Sequence, residues 1–218
     1  TSTWPNTMGD GVANNGEVLT TNINTVTSLV VGSLFSFNIS DLTGIEDFTA
    51  LTFLNCNNNQ LTSLDLSQNT ALTTLYCNNN LFITLDLSGA NALEIVHCPN
   101  NDFLTSLDVS NNTALTELFC SDNQLTSLDV SNNTALTELG CSDNQLTSLD
   151  VRNGNNTNLW GSKFNCSNNQ NLTCINVDNV LYSAAYWYLI DPQHYFSANC
   201  SNCTQTTSIP DANFEAYL

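Results

Sequence analysis

Asn123-Gln124-Leu125-Thr126-Ser127-Leu128-Asp129-Val130-Ser131-Asn132-Asn133-Thr134-Ala135-Leu136-Thr137-Glu138-Leu139 is one copy of a phrase that returns about every 21 residues between Ala50 and Asn155. Aligned copies begin at Ala50, Ala71, Ala92, Ala114 and Ala135, and a degenerate sixth begins at Asn156. A unit this short cannot bury its own apolar side chains, so successive copies must stack and share one continuous core. Each half of the unit carries the pattern LxxLxφ: Leu115, Leu118 and Cys120 in the first half, Leu125, Leu128 and Val130 in the second. The last two apolar positions of each half flank a single outward residue, and alternation over so short a segment predicts a strand with one buried face. Asn123 and Asn133 follow the strands, where an amide side chain can bond to the backbone as the chain turns. Two short strands per coil predict two parallel sheets, with no segment between them long enough for an ordinary helix.

The 218 residues fit one domain, or one elongated array with caps, and a hydrophobic share of 41% supports a folded chain despite the many Asn, Ser and Thr residues. Twenty acidic residues face two basic ones, Arg152 and Lys163, for a formal charge of −18. That balance disfavours nucleic acid and anionic membrane surfaces and favours cations or basic partners. No stretch is long and apolar enough for membrane insertion. The start at Thr1, without Met, leads to the expectation of a processed chain or a part of a longer exported protein.

The two nested LxxLxL units per copy, from Val26 to Val177, resemble the bacterial leucine-rich repeat family in its variety of about 21 residues. The resemblance implies a curved right-handed solenoid, mostly β with little helix and capped at both ends, usually serving in recognition outside the cell. Ile39 to Leu51, reading ISDLTGIEDFTAL, looks like the more ordinary bacterial repeat, with a short turn or 3₁₀ piece in place of the second strand. The division expected is residues 1–25 as N-terminal cap remnant, 26–177 as solenoid, 178–200 as C-terminal cap and 201–208 as linker. Residues 209–218, IPDANFEAYL, resemble the helical start of this family's N-terminal cap. Asp211 can cap such a helix, and Phe214 and Leu218 share a face. The segment is therefore expected to begin a further module, or to drive self-association by capping another copy. NLTCINVDN, YSAAYWYLID and FSANC, within residues 171–200, resemble the C-terminal cap of secreted arrays. That resemblance suggests a Cys174–Cys200 disulfide stapling the cap over the open core.

Six other cysteines, Cys56, Cys77, Cys98, Cys120, Cys141 and Cys166, recur at the buried φ position of the first half-repeat. Adjacent coils would deliver them as a line rather than a tetrahedral metal site, so they read as small core residues. Cys203 is the cysteine left over and is expected to be exposed. The matching outward position of the second half-repeat holds Asp65, Asp86, Asp108, Asp129 and Asp150. Stacked about 4.8 Å apart, these carboxylates would repel unless solvent, local donors or a hard cation relieved them. Calcium is therefore one reading of the column, and Asx turns bonded to local backbone are the other. No other cofactor is expected. The turn-rich, oxygen-rich stretch from Gly9 to Glu17 is a lesser calcium candidate, because its spacing departs from an EF-hand loop.

The first half-repeat is less uniform on its outward side. One column reads Asn55, Tyr76, His97, Phe119 and Gly140, and the column two residues earlier reads Phe53, Thr74, Ile95, Glu117 and Glu138. Phe53, Tyr76, Ile95, His97 and Phe119 are thus expected to form an exposed strip rimmed by Glu117 and Glu138, and such a strip marks a contact surface. Copy three carries one extra residue near Pro99 to Phe103, beside His97. At the front, Val30 stands in LxxLxφ where later copies place Asp. No catalytic set stands out, and no enzymatic activity is expected. The expected function is a secreted or cell-surface scaffold for protein binding or adhesion. A carbohydrate module stacking sugars on Tyr76 and Phe119, or a structural spacer in a tandem surface protein, is the alternative.

Overall fold

The structure, a computed structural model, describes residues 23–32 and 38–202. The proposed calcium loop at Gly9 to Glu17, Cys203 and the terminal segment 209–218 lie outside the described residues. The chain winds as stacked coils, which present strands of two or three residues from their first halves. In chain order the strands are β1 (Ser28–Val30), β2 (Phe53–Asn55), β3 (Thr74–Tyr76), β4 (Ile95–His97), β5 (Glu117–Phe119), β6 (Ser127–Asp129), β7 (Glu138–Gly140), β8 (Ser148–Asp150), β9 (Phe164–Asn165), β10 (Cys174–Asn176) and β11 (Tyr195–Ser197). Strands β1, β2, β3, β4, β5, β7 and β9 form a seven-stranded parallel sheet in that order. Strands β6, β8, β10 and β11 form the second, four-stranded sheet. In earlier coils the second half keeps only a bridge between Leu85 and Leu107.

The register shows why the repeat folds this way. Leu54, Leu75, Val96, Leu118 and Leu139 pair in sequence across the first sheet and are buried beneath it. The second half delivers Leu61, Leu64 and Leu66 and their counterparts from the opposite side, and one core runs unbroken from Ile45 to Trp187. Each buried leucine contributes about 1.5–3 kcal/mol relative to exposure, so every added coil stabilises its neighbours. The six cysteines follow the first-half strands as free, buried thiols. Burial pushes the Cys56 and Cys98 thiols up to about 12, so they pack as neutral groups.

Turning the chain between the halves requires a left-handed residue. Asn58, Asn79, Asn100, Asp122, Asp143 and Asn168 occupy that corner with φ between 54° and 59°. Asn and Asp tolerate this region better than other non-glycine residues. The next asparagine of each coil locks the corner. Asn123 donates its side-chain amide to the carbonyls of Cys120 (2.9 Å) and Cys98 (3.1 Å), one coil back. Asn59, Asn80, Asn101, Asn144 and Asn169 likewise reach back one coil, giving an interior asparagine ladder beside the thiols.

The ends depart from the consensus. A 3₁₀ turn at Ile45–Asp47 replaces a second strand in the first described repeat, as the sequence there implies. At the other end, helix α1 (Val180–Tyr186), capped by Asn179, leads into β11. Cys174 and Cys200 are joined in a disulfide across this cap. Trp187 closes the core, its ring stacked on Phe164 at 3.9 Å and edge-on to Phe196 at 5.6 Å. Among the described residues no helix is long and apolar enough to cross a membrane.

One expectation is corrected here. Strand β1 pairs with β2, placing Val30 opposite Asn55, so Val30 heads the column of Tyr76 and His97 and not the aspartate column.

Candidate functional site

Parallel register brings the irregular outward residues into contact. Asn55, Tyr76, His97, Phe119 and Gly140 are successive partners in one column, and Phe53, Thr74, Ile95, Glu117 and Glu138 in the other. The rings join diagonally and then vertically. Phe53 meets Tyr76 edge-on at 5.5 Å, Tyr76 lies over His97 at 4.8 Å, and His97 meets Phe119 edge-on at 4.7 Å. Ile95 stands between Thr74 and Glu117 in the neighbouring column. The ladder ends at Gly140, where an added Cβ would sit 2.8 Å from a Phe119 ring carbon. Glycine therefore lets the last ring lie over the following coil. Because each ring packs on the next, Phe53, Tyr76, His97 and Phe119 stand on the outward side of the sheet but are half-buried.

Acidic residues rim this face. Glu117 lies 3.6 Å from the Nε2 of His97, and Glu138 pairs with Lys163 at 3.2 Å. Burial among the rings holds the His97 imidazole below its ordinary pKa of 6.5, against the opposing pull of Glu117 and then Glu138. The imidazole is thus neutral at pH 7. In an NMR titration of His97, the midpoint is expected below 6.5 in the native chain. Phe119→Ala rehydrates the ring while leaving Glu117 in place, and is expected to raise that midpoint. An unchanged midpoint would show that the phenyl ring does not set the environment of the imidazole.

The aspartate column behaves differently. Oδ1 of Asp65, Asp86, Asp108 and Asp129 accepts the N–H two residues on, from Ser67, Ser88, Ser110 and Ser131, at 2.8–2.9 Å. Side-chain hydrogen bonding from Ser67, Ser88 and Ser110, and then these backbone bonds, hold the Asp65, Asp86 and Asp108 carboxyls below the usual range. Asp150 repeats the turn with Arg152, whose guanidinium also binds its carboxylate and the Ala198 carbonyl. The column is therefore engaged in shaping its own turns. Both basic residues of the chain, Arg152 and Lys163, are already paired with carboxylates.

The structure also exposes apolar side chains that the strip did not include. Leu81, Ile83 and Phe103 protrude at the corner of the second and third copies, and Trp160, Tyr186 and Tyr188 at the C-terminal end. For the corner, the signal was present in the aligned copies as a column reading Gln60, Leu81, Phe103, Gln124 and Gln145.

No protein-family model and no curated protein matches the chain. Among solved structures, the fold is similar to that of an internalin, InlF, from Listeria monocytogenes, at 20% identity and a TM-score of 0.51, over 82% of this chain and 49% of that one. The functional domain of InlJ from the same organism, described as including a cysteine ladder, is similar at 30% identity and a TM-score of 0.39, over 73% of this chain and 46% of that one. The fold is that of a bacterial leucine-rich repeat solenoid with two parallel sheets. The match spans about half the length of each of these proteins.

Proposed function

We propose that the chain is an extracellular recognition scaffold, part of a larger exported protein, whose ring ladder binds a protein partner in adhesion. The observation that carries this reading is the contiguous run Phe53–Tyr76–His97–Phe119 with its acidic rim. These side chains occupy outward positions of a sheet whose core is already complete, so folding does not require rings there. Aromatic residues at the centre of a face and charges at its edge are the usual anatomy of a protein contact. The edge-on contacts within the ladder leave few free ring faces for sugar stacking, which supports a protein ligand over a glycan. The Cys174–Cys200 disulfide suits an oxidising exterior. A catalytic role has little support, because Asp65, Asp86 and Asp108 share one environment and supply no distinct acid and base.

The test is a selection of displayed peptides on the immobilised native chain, followed by affinity measurement on Tyr76→Ala and Phe119→Ala. Both variants are expected to stay folded, with a melting temperature lowered by a few degrees for the ring contacts removed, and to lose roughly tenfold or more in affinity for selected peptides. Peptides that bind both variants as tightly as wild type would remove the ladder from the site.

A further inference from the structure

The repeat supplies its own control for what its surface needs. At the corner position just before the buried residue of the second half, Gln60, Gln124 and Gln145 are polar, and their amides bond to polar side chains of the adjoining coil. The second and third copies place Leu81 and Phe103 there. Two residues on from that column, Thr62, Thr105, Thr126 and Thr147 have Ile83 as their only counterpart of a different type. Leu81, Ile83 and Phe103 are 39%, 59% and 56% exposed. Folding does not call for these residues, since the same positions in other copies fold with glutamine and threonine. An apolar side chain that displaces a working polar one at three surface positions on two successive coils points to something that covers it.

The surroundings define the chemistry of that occupant. Each side of the patch is joined to the ring ladder by a single turn of chain, residues 77–80 from Tyr76 and residues 98–102 from His97. The extra residue of the third copy falls in the second of these turns, where Leu104 turns its N–H back to the Asn101 carbonyl at 2.9 Å. The corner is also acidic. Asp102 is exposed beside Phe103, and the Asp122 carboxyl one coil on is pushed up by burial and by its neighbours Asp143 and Asp102. No free lysine or arginine balances this field, because both in the chain are paired elsewhere.

We infer that Leu81, Ile83 and Phe103 extend the ring ladder around the corner of the solenoid, and that one basic, amphipathic protein segment engages both faces. This rests on the protein-binding reading of the ladder and adds the chemistry of the partner: apolar anchors for the corner, with cationic side chains for the Asp102 and Asp122 rim. A segment reaching two faces of the solenoid is too extended for a small glycan.

The experiment uses the intact chain and two labelled synthetic dodecapeptides, one alternating arginine and leucine, the other arginine and serine. The variant restores the repeat consensus as Leu81→Gln, Ile83→Thr and Phe103→Gln, so its melting temperature should match wild type. Wild type is expected to bind the leucine peptide about tenfold tighter than the serine peptide. The consensus variant should lose that difference and keep its affinity for the serine peptide. The inference is overturned if the leucine peptide gains nothing, or if the variant retains the gain. If Tyr76→Ala abolishes the gain and the consensus variant does not, the ladder stands and the corner falls. If only the consensus variant abolishes it, the corner binds alone and the shared site is overturned, while the ladder reading stands or falls on the peptide selection. Sedimentation of wild type alone provides the last arm: a dimer dissolved by the consensus changes would make the occupant a second copy and overturn the basic partner.

Discussion

Asn123→Ala is expected to destabilise the chain by about 2–4 kcal/mol, far more than a polar-to-alanine change at the surface. The side chain makes three buried hydrogen bonds: two donated to the Cys98 and Cys120 carbonyls, and one accepted at 2.9 Å from the Asn101 N–H. The two carbonyls keep a second donor each, from Asn101 and from Asn144. The Asn101 N–H keeps none, and an orphaned buried donor carries most of the penalty. In a chain of this size the loss corresponds to a fall of roughly 4–16 °C in melting temperature. Asn132→Ala is the matched control. Its side chain is exposed and reaches only the Ser110 carbonyl at 3.4 Å, so its effect should stay within about 0.5 kcal/mol. Equal melting temperatures for the two variants would show that the interior ladder is incidental to stability.

The second large effect concerns the C-terminal cap. Replacing Cys174 and Cys200 by serine removes a closure across 26 residues, which the chain-entropy relation values at about 3.5 kcal/mol. The loss should be felt first in the cap. Trp187 still stacks on Phe164 and donates its indole N–H to the Leu159 carbonyl, so the ground state is kept while opening becomes easier. Limited proteolysis should therefore cut within residues 178–200 of the double variant long before the repeats. Adding Trp187→Ala should remove the remaining anchor and expose the last coil. Cleavage that begins in the central repeats, or that is no faster than in wild type, would contradict a stapled cap.

The core and the two sheets were legible because their signal is local and repeated. Leu118 and Cys120 alternate in the sequence, and their burial follows from that alternation alone. Register was harder where the two halves look alike. Val30 lies in an LxxLxφ segment that fits either half, and only pairing with β2 places it in the ring column. The half-burial of Tyr76 and His97 was not legible either, since it depends on ring-to-ring contact between coils. Glycine at position 140 gave no sequence signal for the resting place of Phe119, which arises from space left on the neighbouring strand. The Asx-turn reading of the aspartate column was legible because it depends only on the residue two places on, and the Ser67 and Ser88 N–H groups bond Asp65 and Asp86 in this way.

The stacked thiols bear on how long the molecule lasts. While the coils stay closed, each sulfur is neutral and sheltered. A coil that opens in an oxidising medium exposes adjacent cysteines to one another, and six cysteines can pair in fifteen ways, none of which the closed solenoid contains. Every excursion is then a chance to be captured in a cross-linked form that cannot wind back. In such a medium, service life is governed by how seldom the array opens, a matter of unfolding rate more than of equilibrium stability.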